Sequence, residues 1–243
     1  IVVYSENELR AVMGNLTRGT RVVIANDIYL TKTINVNVRS ESLTKTTGVD
    51  RREVVIAGFG GGSLRVKSGV SPFDLFSFGA KQQDGVTFTN LYVSGFKSFI
   101  YCKPSSGAVY HADLTIENCY MEAVQEVFKM SASGAVFFTR AKIHSNRFIN
   151  CDFYRPNFSA ITFLYASLNG NTFTQVLGSA FVLNTCTFTS NSVSQPAVEF
   201  YGSNSVLDSN SMRNVSFDVA ASRFILTNNK FITGTASLSN VQG

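Results

Sequence analysis

Lys103, Lys129 and Arg155 recur at intervals of 26 residues in a chain of 243. In a chain that winds with a comparable period these three cations form a line, an arrangement suited to a polyanion. Around them lie Tyr110, His111, Glu126, Arg140 and Tyr154, with Glu199 further on. Two chemistries are open to such a set. In the first, a cation neutralises the carboxylate of a sugar ring so that the adjacent C–H becomes acidic. A Lys, His or Tyr then removes that proton, the essential step of β-elimination. In the second, tyrosine stacks on a sugar ring while its hydroxyl hydrogen-bonds, which is recognition without reaction. Glycoside hydrolysis is disfavoured, because it needs converging carboxylates and no two acidic residues are adjacent anywhere in the chain. Of the two histidines, His111 falls in a stretch that reads as a long loop and can carry a proton, whereas His144 has the setting of a structural residue.

Composition limits the partners. Hydrophobic residues make up 44% and charged residues 15%, against roughly 25% charged in an average globular domain. That excludes a disordered chain, a coiled coil and a charged nucleic-acid tail. The net charge of +5 is spread without a basic stripe, so no nucleic-acid partner is expected. No apolar run approaches the roughly 18 residues of a membrane-spanning helix. Cys102, Cys119, Cys151 and Cys186 lack CxxC spacing and a histidine cluster, so no zinc or other metal site is expected. They read as buried free thiols, with disulfide pairing left open. The chain begins at Ile1 with no charged-then-apolar leader, as a mature product or an excised piece with flanking domains would.

The elements that must position these residues are repeats. Residues 1–20 form a cap: Ser5 and Glu8 make a capping box for an amphipathic helix over 6–16, whose apolar face is Leu9, Val12, Met13 and Leu16. Residues 21–85 give first coils through short strands at 22–24, 34–38, 54–56 and 64–66. Over 86–243 a motif recurs around Asn90, Asn118, Asn146, Asn171, Asn191, Asn210 and Asn229, with an apolar or aromatic residue on each side. The spacings are 28, 28, 25, 20, 19 and 19. Such a chain stacks coil on coil, Phe on Phe, with each Asn bonded to the Asn above and below. Eight positions after each Asn, Ser98, Glu126, Tyr154, Ser179, Glu199 and Asp218 should face outward from one continuous sheet. The longer coils carry their excess in 103–113, 131–140 and 155–163, predicted as loops that wall a groove.

The capped helix, Thr20–Ile24 and the Asn-x-Phe coils resemble the right-handed parallel β-helix of the pectate lyase-like superfamily. Residues 7–30 resemble the opening of the chondroitinase B and alginate lyase family, and 114–119 resemble secreted β-helix proteins of gut bacteria. The resemblance implies an all-β fold, a single-stranded right-handed parallel β-helix with an N-terminal capping α-helix, in one domain spanning 1–243. It implies a secreted or cell-surface protein acting on a polysaccharide, with Lys129 and Arg155 nearest to that family's catalytic Lys and Arg. Lys103, Tyr110, His111, Glu126, Arg140, Tyr154 and Glu199 would then bind substrate. That family's calcium-ligand positions have no visible match, so calcium is left open without a ligand cluster, and no other cofactor is expected. The acidic polysaccharide is thus bound, and cleaved if the lyase reading holds. A non-catalytic adhesion module and a structural spacer of a larger surface protein are the alternatives.

Overall fold

The computed structural model describes residues 1–38, 53–79, 82–104, 107–130, 134–153, 160–174, 179–194 and 197–239. Every strand pairing among them is parallel, and beyond the first pair of strands each strand pairs with the strand one coil away rather than with its neighbour in sequence. This is a right-handed parallel β-helix, the hand that twist imposes on parallel crossovers. A coil visits up to four sheets in turn. Sheet A holds ten strands, from Val2–Val3 and Arg21–Ile24 through Thr115–Glu117 and Lys142–His144 to Ile225–Thr227. Sheet B runs from Ile28–Leu30 to Ser192–Ser194. Sheet C has four strands among the described residues, Ile34–Asn35, Asp74–Gly79, Ser98–Cys102 and Glu126–Met130. Sheet D begins at Ala108–Ala112 and continues through Ala135–Thr139, Ala160–Leu164, Ser179–Asn184 and Ala197–Ser203. The long strand Ser211–Ser222 then pairs with both B and D, closing the gap between them.

The predicted helix forms over Glu6–Met13, shorter than 6–16 because Gly14 ends it with its N–H on Arg10 O. Glu8 N donates to Ser5 Oγ at 3.3 Å, and Glu8 Oε2 reaches back to Tyr4 N at 2.6 Å. Leu9 and Met13 are fully buried. Glu6 accepts from Thr31 N and pairs with Arg10, whose guanidinium donates to Thr33 O at 2.6 Å and to Lys32 O, so the helix is riveted to the first coil. Sheet A starts ahead of the helix: Val2–Val3 already pairs with Val23–Ile24.

The core is one continuous column, with phenylalanines from successive coils lying on each other. Phe138 stacks on Phe163, Phe148 on Phe173, and Phe181 on Phe200, with centroids 5.0–5.5 Å apart. Stacked aromatic pairs add to plain burial.

The asparagine ladder exists, in a corrected register. Asn146, Asn171, Asn191, Asn210 and Asn229 are linked from coil to coil: each backbone N–H donates to the next residue's Oδ1, and each Nδ2 donates to the same atom. Asn90 and Asn118 are not in it. They occupy the preceding corner position, with φ of 54° and 52°, which puts them in line with Ser145, Gly170 and Ser190. The ladder place in their coils belongs to Leu91 and Cys119, and Cys119 N donates to Asn146 Oδ1 at 2.9 Å. Among the described residues, fourteen non-glycine residues have positive φ, and all fall at three stacked corners: A to B, B to C or D, and D to A. One left-handed residue per corner turns the chain without a long loop.

All four cysteines are free and buried. Cys186 shows why: its Sγ accepts from Ala166 N at 3.3 Å and faces Phe163 O at 3.2 Å, standing in for a ladder amide. Burial pushes the Cys119 and Cys151 thiols up to about 12, which leaves them unreactive.

Candidate functional site

The outer face of sheet C holds Lys129. Its Nζ reaches across the intervening strand to Asp74 Oδ1 at 3.2 Å, and both side chains are 19% exposed. The same oxygen accepts from Ser98 Oγ at 2.9 Å, and the Tyr101 ring lies 5.7 Å from the ammonium. Lys129 thus clamps three strands. Glu126 stands in register with Ser98 and bridges to Asp152. The expected line of cations does not pass through Lys103. Ser98 pairs with Glu126, so this coil advances by 28 residues rather than 26, and the neighbour of Lys129 is Tyr101. Lys103 is exposed beyond the end of its strand. Tyr154 and Arg155 lie outside the described residues. A hard-cation site needs several oxygen ligands together. Among the described residues there is no group of three or more His, Cys, Asp or Glu that could hold a metal ion.

The stretches predicted as loops are largely strands. Residues 108–112, 135–139 and 160–164 build sheet D, which the shorter coils continue through Ser179–Asn184 and Ala197–Ser203, while the extra length of the two 28-residue coils carries the sheet C strands Ser98–Cys102 and Glu126–Met130. His111 accordingly points into the core, fully buried, with Phe78 and Phe138 at centroid distances of 5.2 and 5.3 Å. Burial pushes it down to about 4. It cannot contact a substrate on the surface. Tyr110, the next residue along, points outward, 48% exposed and stacked on Phe137 at 4.7 Å. Glu199 lies on sheet D four strands further along, accepting from Tyr201 Oη at 2.8 Å, roughly 19 Å from Tyr110 at the inter-strand spacing. The positions eight after each Asn therefore do not share a sheet: Ser98 and Glu126 are on sheet C, Glu199 and Asp218 on sheet D. His144 is half-buried on sheet A, bonded to Ser167 Oγ at 3.1 Å.

Arg140 leads to a different place. It and Asp113 occupy the same corner between sheets D and A, both with φ of 56°, and the left-handed turn aims both side chains outward. They form a two-pronged pair, Nε to Oδ1 and Nη2 to Oδ2, each at 2.8 Å. A groove of about 400 Å³ opens beside them, lined also by Arg18, Glu53, Gln82, Asp84, Thr115 and Lys142. Its carboxylates are already engaged. Asp84 accepts from Ala112 N at 2.7 Å and from Gln82 Nε2 at 2.5 Å, Glu53 accepts from Thr87 Oγ1 at 2.9 Å, and Asp113 holds Arg140. Two of its cations are not engaged. Among the described residues Arg18 and Lys142 have no ion-pair partner, and Arg18 Nε is buried with no hydrogen bond at all. The groove therefore presents uncommitted donors to whatever enters it.

Sequence reasoning missed Arg18, Glu53, Gln82, Asp84 and Lys142. Lys142 had a signal, since it is the outward residue of a strand whose stacked equivalents are Thr115 and Ser167. The other four come from segments outside the asparagine repeat.

No family model matches the chain, and no curated protein matches it. Similar solved structures include an alginate lyase from a Paenibacillus species, at 10% identity and TM-score 0.41, covering 100% of this chain and 99% of that one. A PL6-family polysaccharide lyase from Pseudopedobacter saltans matches at 12% identity and TM-score 0.41, over 91% of this chain and 65% of that one. The Streptococcus pneumoniae surface adhesin PfbA matches at 8% identity and TM-score 0.31, over 92% of each chain. At these identities the resemblance assigns no activity, and the parallel β-helix rests on the strand pairing itself.

Proposed function

We propose that this protein is a secreted or surface-exposed β-helix that binds an acidic polysaccharide in the groove at the corner of sheets D and A. One observation carries the reading: Arg18 and Lys142 make no ion pair in the groove, and Arg18 Nε is buried there without a hydrogen bond, beside carboxylates that protein donors already occupy. A buried guanidinium nitrogen without a partner is a costly vacancy that an anion relieves. The engaged carboxylates keep free lone pairs for sugar hydroxyls, and Tyr110, two residues along the strand from the groove-lining Ala112, offers an aromatic edge to a neighbouring ring. Holding without cleavage fits better than β-elimination. Lys129 is committed to Asp74, and His111 is walled into the core.

The test is a binding series with alginate, pectate and chondroitin sulfate against a neutral glucan, with ultraviolet detection of unsaturated uronate ends in parallel. The expected result is salt-sensitive binding to at least one acidic chain, lost by about tenfold or more in Lys142→Glu, with no new absorbance. Equal binding of the neutral glucan, or an unchanged affinity in Lys142→Glu, overturns the reading. Appearance of unsaturated ends would make the protein a lyase instead.

A further inference from the structure

The wall of the groove hangs from the first strand of sheet D. On the side of Ala108–Ala112 away from Ala135–Thr139 there is no further strand among the described residues, and residues 82–85 fasten there instead. Gly85 N donates to Ala112 O at 2.9 Å, Ala112 N donates to Asp84 Oδ1 at 2.7 Å, and Gln83 N donates to His111 Nδ1 at 3.0 Å. Gln83 Oε1 accepts from Val38 N at 2.9 Å, tying the segment to the first coils. Gln82, Asp84 and Gly85 line the groove.

The bond from Gln83 fixes the protonation state of the ring. Nδ1 accepts from a backbone N–H, so it carries no proton, and the single ring proton sits on Nε2, 3.8 Å from Cys102 Sγ. A second proton would have to go on Nδ1. There it would set a donor against the Gln83 N–H and create a cation in a pocket walled by Phe78 and Phe138. The polar or charged groups facing the ring are few. Asp84 on the wall segment favours the cation, the Cys102 thiol on sheet C is kept neutral by burial, and the Ala135–Thr139 and Asp74–Gly79 strands present Phe138 and Phe78.

We propose that His111 is a positioning residue for the groove: neutral, it pins residues 82–85 as the wall, and protonation at Nδ1 releases them, so that the groove gives up an acidic saccharide in acid. The ligand half of this rests on the proposed function; the latch itself does not. Burial lowers His111 from 6.5 to about 4 in the closed form. The closed wall therefore has its full stability above about pH 6.5. The opening constant rises about tenfold for each unit that pH falls towards 4, and levels off below that.

The test reads the latch and the ligand separately. Hydrogen exchange at the Gln83 and Gly85 amides, corrected for the intrinsic rate at each pH, should lose protection by about tenfold per pH unit in that window. Amides of the stacked strands around Phe173 and Phe181 should hold theirs. In His111→Gln, which keeps an acceptor that does not titrate, the Gln83 and Gly85 profile should be flat. Flat protection in the wild type, or the same loss in His111→Gln, overturns the proposal. Ring nitrogen NMR of the wild type supplies a check that needs no variant, with Nδ1 expected to titrate well below the usual histidine range. Titration near the ordinary value overturns it too. Alginate binding measured over the same window should fall in the wild type and persist in His111→Gln. Amides that respond while bound alginate does not leave overturn the coupling to the groove. Responding amides with no alginate bound at any pH refute only the groove's proposed ligand.

Discussion

Asn191→Ala takes one rung out of the middle of the ladder, and the structure sets the size of the effect. The native side chain makes four bonds. Oδ1 accepts from Asn171 N at 2.9 Å and Asn171 Nδ2 at 3.0 Å, while Nδ2 donates to Leu168 O at 3.0 Å and Asn210 Oδ1 at 3.1 Å. Asn171 Nδ2 keeps Ile143 O, and Asn210 Oδ1 keeps the backbone N–H of residue 191, so those two groups remain satisfied. The Asn171 N–H loses its buried partner, while the Leu168 carbonyl loses the side-chain donor but stays in the parallel ladder with Thr187–Thr189. At about 1–3 kcal/mol for one stranded buried group, with the lost second bond to Leu168 O added, the loss is about 2–3 kcal/mol. Asn229→Ala removes the same chemistry at the last rung, where the side chain is half-buried and water can replace it; about 1 kcal/mol is expected there. Asn191→Asp separates hydrogen bonding from size. It keeps the acceptor for Asn171 but turns an oxygen towards Leu168 O, so it should be worse than Ala at neutral pH and recover in acid, where the protonated carboxyl can donate. Urea unfolding gives the differences, and exchange protection in the flanking coils shows whether the array opens locally, as stacked repeats can. If Asn191→Ala costs no more than Asn229→Ala, the buried ladder does not hold the coils together.

Three further outcomes follow from the same geometry. Lys129→Ala should cost only about 0.5–1 kcal/mol in urea unfolding, because its pair with Asp74 is partly solvated; a loss of several kcal/mol would mean that the clamp is the main tie across sheet C. Thr185→Gly should raise stability by about 0.5–1 kcal/mol. A β-branched residue at φ 56° is strained and glycine is not, while its backbone bond to Ser203 O survives; a lower denaturation midpoint would contradict this. Phe181→Ala should cost about 4 kcal/mol, since the ring is fully buried among Phe153, Phe188 and Phe200 and leaves a cavity on the stacking axis.

The winding was legible in the sequence because a stacked coil must repeat its own interior. Phe148, Phe173 and Phe188 recur beside Asn146, Asn171 and Asn191 because each coil packs only on its neighbours. The register error at Asn90 and Asn118 has a physical source. The left-handed corner residue and the ladder residue are adjacent in sequence, and asparagine suits both, as Asn228 and Asn229 show side by side. Sheet C was hidden for another reason. In Ser98–Cys102 the consecutive residues Phe99 and Ile100 are both buried, so the alternation that marks a strand is broken there. A cation spacing of 26 then looked like a period when the true advance was 28.

The groove could not emerge from the repeat, because it forms where the repeat changes. Up to Met130 the chain supplies strands to sheet C; from Ala108 onward it supplies them to sheet D, and near that handover a new sheet edge must be met by something other than a coil. Residues 82–85 meet it, and Arg18 and Lys142 are left without an ion pair beside them. Within the stack, a polar group finds its bond in the next coil; at the discontinuity it does not, and the unspent bonding capacity is what a ligand can use. This makes Lys142 and Asn191 mutual controls. Lys142 is exposed on a regular strand of sheet A, so reversing its charge should change ligand binding and leave the urea midpoint within about 0.5 kcal/mol. Asn191 is buried and remote from the groove lining, so Asn191→Ala should lower the midpoint while the remaining folded protein binds with native affinity. If both variants shift both measurements together, binding is a property of the whole stack and the groove has no separate role.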